Sequence, residues 1–426
     1  MTVEIRAVGP GDAADWVRVL PQYTGRPIWE PAPAAWYGGP EPWPAPGPAG
    51  VVADQVRDLE DSDFHAVAAV VDGRLVGASA MISHELTVPG IQPLAMGGVT
   101  STGVLVTHRR RGLLRRMMQR MFDDALARGE SVAGLSASEG SIYGNFGFAP
   151  ATDRARWEID VRRAVFRSAQ RPVGQVEVID AARACSVWPT LHEQVRLRTV
   201  GELAARPGRW SDLSDAAVGT DGPPQYLLHQ SAGEVDGVAR FRQPWGRTTA
   251  EAGTMVVDGL CTTSQAAYRE LWQTIFSVDL THRVVAAGRP ADEPLRWMLT
   301  DPRAMRLTRQ SDNLWMRLLD VPSSLSQRTY PYVESLVVEV ADDPLCRENT
   351  GSWLVETSET GANCTRTTAS PDLTVDIRAL SRLFLGGGSA RLLATAGLIT
   401  EHRSGVLDRL GRLLRTDPAP FNSFAF

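Results

Sequence analysis

The chain has 426 residues, 43% hydrophobic and 22% charged, with a formal charge of −5. Those figures suit two or three packed domains and exclude disorder, collagen-like and coiled-coil architectures; the acidic balance gives no general attraction to nucleic acid. All 44 basic residues are arginine, a skew typical of GC-rich coding, which excludes a Walker-type phosphate lysine and any lysine Schiff base.

From the N-terminus, VEIRAV alternates as a strand and GDAADWVRVLPQY continues as a short helix. A proline-rich loop between Pro27 and Pro48 then spaces Trp29, Trp36, Tyr37 and Trp43, either as pocket walls or as pins to the core. AVAAVVDGRLVGASAMI predicts two strands joined at Asp72-Gly73, a hairpin turn pair. PLAMGGVTSTGVLV predicts a further strand leading to His108-Arg109-Arg110-Arg111-Gly112. From Leu113 to Ala127 the apolar residues take helical spacing, and Gly129 closes that helix. VAGLSAS predicts a short strand, followed by EGSIYGNFGF and then by a last strand of this segment near ARWEIDV.

From about Glu177 the pattern starts again. VEVIDAARACSVWPTLHEQV repeats strand then helix, GEVDGVARF echoes GRLVGASAM, and GTMVVDGLCTTSQAAYRELWQTI repeats strand, loop, helix. The loop CTTSQAAY lacks the arginines and glycine of Arg109 to Gly112, which predicts that this copy has lost its anion site. A third segment begins around Thr308, with strand-like LVVEV and WLVETSE, then LTVDIRALSRLFLGG and a helical GVLDRLGRLLR. The chain ends PFNSFAF, apolar where a solvated tail is normally polar.

Cys185, Cys261, Cys346 and Cys364 stand far apart without a CxxC, and the seven histidines have no HxxxH spacing, so no metal site is expected. The N-terminus lacks a basic stretch followed by an apolar one, and no run of about 18 apolar residues occurs. The expectation is a soluble, cytoplasmic enzyme without a membrane span.

The informative stretch is TGVLVTHRRRGLLR, Thr102 to Arg115, where a strand passes through an arginine-glycine loop into an amphipathic helix. Such a junction offers unpaired N–H groups and the positive end of the helix dipole to an anion. A pyrophosphate fits there, with Arg110, Arg111 and Arg115 as forked counter-charges and Gly112 allowing close backbone approach.

The stretch resembles the acetyl-coenzyme A loop R/Q-x-x-G-x-G/A of the GNAT acetyltransferases, here Arg109-Arg110-Arg111-Gly112-Leu113-Leu114, with Leu114 in place of the small residue. A closer resemblance is to the Eis (enhanced intracellular survival) acetyltransferases, which carry THRRRGLL followed by ASEG-x-IYG-x-FG; here these are Thr107 to Leu114 and Ala137 to Gly147.

The resemblance implies an α/β (α+β) chain in three parts: a catalytic GNAT domain (1–155), a degenerate GNAT-like domain (156–305) and a sterol-carrier-like domain (306–426). It implies that Thr102, Gly103 and Val104 hydrogen-bond the pantetheine arm as an added strand, beside a β-bulge that ends local pairing. Arg110, Arg111, Gly112, Leu113, Leu114 and Arg115 take the pyrophosphate, and Ser138 and Glu139 flank the thioester. An amine nucleophile must lose a proton and a thiolate must be expelled, so two proton-handling groups are needed. The resemblance gives these roles to Tyr143, as acid, and to the C-terminal carboxylate of Phe426, as base. It implies an acetyl-coenzyme A-dependent N-acetyltransferase acting on aminoglycosides or related polyamines, and a hexamer. A protein or peptide lysine acceptor, and a hydrophobic-ligand carrier with a vestigial acetyltransferase domain, stand as alternatives.

Overall fold

The structure, a computed structural model, describes residues 2–19, 56–90, 92–167, 172–206, 210, 222–244 and 252–424. The aromatic loop between Pro27 and Pro48 and the terminal Phe426 lie outside the described residues.

Numbered in chain order, the first sheet runs β1 (Val3–Ala7), β2 (Phe64–Val71), β3 (Arg74–Val88), β4 (Gln92–Val104), β5 (Val132–Ser136), β14 (Leu314–Leu318), β6 (Ala149–Pro150). The second runs β8 (Gln175–Ile179), β9 (Gln225–Ser231), β10 (Glu234–Arg242), β11 (Thr254–Thr262), β12 (Arg283–Arg289), β7 (Asp153–Asp160), β13 (Met305–Asp312). A third, five-stranded sheet runs β17 (Gly361–Arg366), β16 (Gly351–Ser358), β15 (Glu334–Val340), β18 (Leu373–Val375), β19 (Ile399–Glu401).

The local signals act as expected. Asp72 and Gly73 take φ of 47° and 77°, the left-handed pair that a two-residue hairpin turn requires. Helix α1 (Ala13–Val19) covers one face of the first sheet and α2 (Leu113–Ala127) the other. In α2 the predicted apolar stripe is buried at Leu113, Met117, Met118, Met121, Phe122 and Ala125, and the large members of it contribute roughly 1.5–3 kcal/mol each. Helix α4 (Ala181–Arg196) and α5 (Gln265–Phe276) cover the two faces of the second sheet in the same way; α3 is the single turn Gly140–Tyr143. The strand-then-helix repeat predicted from about Glu177 is therefore a second sheet of the same plan.

Two expectations are corrected. The strand at ARWEIDV, read as the last of the first segment, is β7 and pairs with β12 and β13 in the second sheet. Its place in the first sheet is taken by β14, which pairs antiparallel with β5 and with β6. The two sheets thus exchange a strand: beside its fifth strand each takes the segment that directly follows the other sheet's strands in the chain, β14 after β13 and β7 after β6. The segment around Thr308, read as the start of the third part, lies in β13 of the second sheet, and the third sheet itself begins at Glu334. Period-2 alternation marks a strand but carries no information about its sheet, so the exchange leaves no local trace.

The third sheet and its helices Ile377–Phe384 and Val406–Leu414 share one core with the near end of the first sheet, including Leu86, Leu94, Met96 and Met316. Arg328, buried in this core, donates to the carbonyls of Phe384 and, at 3.1 Å, Leu414, closing the C-termini of both helices.

Candidate active site

Strands β4 and β5 are parallel, yet they pair only from Met96–Gly98 to Val132–Gly134 and then diverge. On its other edge β4 stays in register with β3 to Gly77↔Val104, with a bulge where Ala78 faces Gly103 and Ala80 faces Thr100. The bulge is held from inside: the Thr102 hydroxyl lies 2.6 Å from that of the buried Ser79 and donates to the Thr100 carbonyl at 3.1 Å. Ser101 takes φ of 50°, a strained value for a residue with a side chain. Thr102, Gly103 and Val104 therefore have β3 on one side and the opened gap on the other. The Val104 carbonyl accepts from Arg109 Nε at 3.2 Å.

After Val104 the chain turns through Val106–His108 and reaches α2 by two left-handed residues, Arg110 (φ 59°) and Gly112 (φ 75°). Gly112 is the N-cap and supplies no side-chain cap, so the first N–H groups of α2 have no partner from that position. An added Cβ at Gly112 would meet open space, so the glycine answers to its φ and not to crowding inside the protein. Arg110, Arg111 and Arg115 are exposed around this helix end, and Arg111 folds back to the Thr107 carbonyl at 3.0 Å. Leu113 is buried and Leu114 packs against the same core, so the last residue of the motif anchors the helix and leaves the loop free.

Strand β5 ends at Ser136 and delivers Ser138 and Glu139 to the same end of the sheet. Glu139 accepts from the Ser141 hydroxyl at 2.8 Å. The turn α3 then places Tyr143 half-buried, packed on the core that includes Phe146 and Phe148, with its ring edge-on to Phe148 at 6.3 Å. Burial pushes the Tyr143 hydroxyl above its ordinary value; a hydrogen bond from Ser138 pulls it back in part, and the Glu139 carboxylate adds to the rise. The phenol is thus kept protonated and able to donate. The structure gathers the predicted residues Thr102 to Arg115 and Ser138 to Tyr143 at the diverging ends of two neighbouring strands.

The C-terminal tail is held as far as it is described. Phe421 N–H donates to the Val200 carbonyl at 2.8 Å, Ser423 N–H donates to the buried Glu202 carboxylate at 3.0 Å, and Asn313 Nδ2 donates to the Asn422 carbonyl at 2.7 Å. Phe424 packs into the core 5.7 Å from the His192 ring. The segment that holds the tail pairs in turn with β3, through Thr87 N–H to Glu202 at 2.9 Å and Ala204 N–H to Glu85 at 2.9 Å.

Sequence reasoning missed β14. Its Trp315 stands against Gly140, where an added Cβ would lie 3.1 Å from the indole, and its Arg317 donates to the Phe146 carbonyl. No local pattern connects these residues with Tyr143, because they reach it only through the strand exchange. No group of three or more His, Cys, Asp or Glu placed to hold a metal occurs among the described residues, and no described helix is long and apolar enough to cross a membrane.

Comparison with known proteins gives a consistent result. A family profile for an acetyltransferase (GNAT) domain matches residues 44–151, a second acetyltransferase (GNAT) domain profile matches 201–318, and a sterol carrier protein domain profile matches 321–423. The N-acetyltransferase Eis of Mycobacterium tuberculosis is 32% identical over 363 residues, covering 83% of this chain and 86% of its own length. An N-acetyltransferase of Streptomyces griseus is 32% identical over 435 residues, 99% of each chain. The crystal structure of Eis1 from Mycobacterium abscessus superposes with a TM-score of 0.82 at 30% identity, covering 99% of this chain and 100% of that one. A GCN5-related N-acetyltransferase from Anabaena variabilis shares the fold, with a TM-score of 0.81 at 17% identity over 100% of each chain.

Proposed function

Since the chain belongs to the Eis-type N-acetyltransferases of the GNAT superfamily, we propose that it acetylates a primary amine of an aminoglycoside or related polyamine. Acetyl-coenzyme A, the acetyl donor of GNAT enzymes, supplies the activated acyl group. The observation that carries this reading is the helix end at Gly112, uncapped and entered through two left-handed residues, beside a strand whose outer edge faces a gap. Arg110, Arg111 and Arg115 answer the pyrophosphate charge, and backbone groups of Thr102, Gly103 and Val104 guide the pantetheine arm. Leu113 and Leu114 fix the helix end that binds.

The N–C bond forms as the C–S bond breaks. The ammonium proton passes to the C-terminal carboxylate of Phe426, directly or through a water, and Tyr143 donates its proton to the departing sulfur. Ser138 and Glu139 flank the thioester, and Ser138 orients the phenol through its hydrogen bond. An α-carboxylate has an ordinary pKa of about 3.3–3.7, so its use as a base needs desolvation or a bridging water. The packing of Phe424 supports a tail held in the protein interior. We place the enzyme in the cytoplasm as a homo-oligomer, hexameric by family resemblance, with no metal.

Thiol release from acetyl-coenzyme A, followed with an aminoglycoside and separately with a lysine peptide, tests the reading. Release with the aminoglycoside is expected; release with the peptide alone selects a protein acceptor, and none with either selects the carrier alternative. Deleting Phe426, or adding a C-terminal tag, should lower turnover by about 100-fold or more. Unchanged turnover in both removes the carboxylate from the mechanism.

A further inference from the structure

The turn that carries Tyr143 cannot order itself. Helix α3 is four residues long, followed by the 3₁₀ turn Gly144–Phe146, and its N-cap Glu139 gives no side-chain cap. A single helical turn in water is far below the length at which a helix is stable, so its geometry must come from tertiary contacts.

Beyond the core of its own domain, β14 supplies a contact at each end of the turn. Trp315 and Arg317 are two residues apart on this strand and therefore point to one face, the face that α2 covers. Trp315 packs at the start of the turn, against Gly140, and its indole N–H donates to Asp312, which fixes the ring. Arg317 closes the far end. It donates to the Phe146 carbonyl, lies 4.8 Å above the Phe122 ring, and occupies the space that a Cβ on Gly147 (φ 83°) would need. Asp343, in the third domain, pairs with Arg317 at 2.5 Å. The same carboxylate accepts from Cys346 N–H at 3.1 Å and Asn349 Nδ2 at 2.9 Å. Next to Gly147, Phe148 donates its N–H to the Tyr143 carbonyl at 3.3 Å and meets the Tyr143 ring edge-on.

We infer that β14 is a two-point clamp on the Tyr143 turn, with Trp315 and Arg317 as positioning residues for the phenol. This rests on the reading of Tyr143 as the acid. The first GNAT domain then lacks its acid geometry until residues from beyond the second domain have joined its sheet, and Asp343 ties that geometry to the third domain.

The full-length protein tests this with acetyl-coenzyme A and whichever acceptor, aminoglycoside or lysine peptide, releases thiol. Trp315→Ala should lower kcat about tenfold while KM for acetyl-coenzyme A stays within about twofold. The alkaline limb of kcat should move to lower pH as the phenol gains water, and Trp315→Phe should restore most of both. In a Tyr143→Phe background, Trp315→Ala should lower kcat no further, because its effect passes through the phenol. Asp312→Ala, the loss of an exposed carboxylate, should act in the same direction by about threefold, and it decides the matter if Trp315→Ala does not fold. An unchanged kcat and pH limb in Trp315→Ala, or in Asp312→Ala where that variant decides, overturns the clamp, as does an equal loss in the Tyr143→Phe background. Wild-type turnover in Tyr143→Phe alone defeats the acid reading itself.

Discussion

In the first domain α2 begins at Gly112 without a side-chain cap; in the second, α5 begins at Ser264, whose hydroxyl accepts from Ala267 N–H at 3.0 Å. The frames around these two helix ends correspond closely. Gly77 faces Val104 and packs against Met117, as Gly237 faces Thr262 and packs against Leu271. Leu105 N–H donates to the Val76 carbonyl at 2.8 Å, as Thr263 N–H donates to that of Asp236 at 2.9 Å. Both domains bulge the strand that precedes the helix. The stretch from Val104 to Met117, however, is replaced by the shorter one from Thr262 to Leu271, and Val76 is replaced by an aspartate. Asp236 accepts from Ser264 at 2.7 Å and from Ser231 at 3.0 Å, and contacts His229 Nδ1 at 2.5 Å. His229 Nε2 reaches Glu270 at 3.0 Å, and Glu270 takes the Val173 N–H at 2.8 Å. The same helix end is therefore open and ringed by arginines in one domain and, in the other, closed by a serine that an internal carboxylate holds. The second domain differs by more than the missing arginines: a carboxylate of its own stands behind the residue that caps the helix.

The largest effect expected from this contrast is on the open loop. Replacing Arg110, Arg111 and Arg115 together by glutamine removes up to three charge-assisted contacts of about 1.5–3 kcal/mol each. Allowing for partial compensation by backbone N–H groups, KM for acetyl-coenzyme A should rise about 100-fold or more with kcat changed far less. Steady-state kinetics at saturating acceptor would read this, and a wild-type KM in the triple variant would mean that the open helix end is not where the pyrophosphate binds.

A smaller effect is expected from opening the closed end. Asp236→Ala leaves His229, Ser231 and Ser264 short of an acceptor in a largely buried setting, at about 1–3 kcal/mol for each group left without a partner. The melting midpoint should fall while KM and kcat stay near wild type. A large change in KM for acetyl-coenzyme A would show that the second domain shares in cofactor binding and would break the comparison.

How much of this was legible in the sequence depends on the range of the forces involved. The stretch Thr102 to Arg115 is contiguous, so strand, loop and helix could be read off the periodicity and the glycine, and Ala137 to Gly147 was legible as one uninterrupted motif, though not as a turn. The repeat from Glu177 was legible for the same reason, and so was the absence of arginines from its loop. That an aspartate on β10 would fill the helix end was not, because Asp236 and Ser264 meet only once two strands are in register. β14 was hidden more deeply. Trp315 and Arg317 sit in a short apolar stretch that looks like any other, and only the exchange of β7 and β14 brings them to Gly140 and Phe146. Contacts set by chain crossing have no sequence period to reveal them.

The closed end should also make the two domains respond differently to acid. Burial alone would raise the Asp236 carboxyl, but hydrogen bonds from His229 and then from Ser264 outweigh it and hold it below the ordinary range. Glu270 is lowered likewise: burial is overcome by the Val173 N–H, His229 and the Gly174 N–H. A carboxyl lowered in the folded state stabilises the fold fully above its unfolded value of about 3.9–4.3, and that contribution is lost as pH falls through the folded value. The first-domain counterparts of Asp236 and His229, Val76 and Ala69, are apolar, and Glu270 is matched by Arg116, so the first domain has no carboxyl at these positions. Below pH of about 4 the stability of wild type should therefore fall more steeply than that of Asp236→Ala, which has already given up its share. Amide exchange in β9 and β10 should accelerate there before that in β2 and β3. Parallel acid limbs in the two proteins would show that the internal carboxylate fills space at the helix end without being held as a charge.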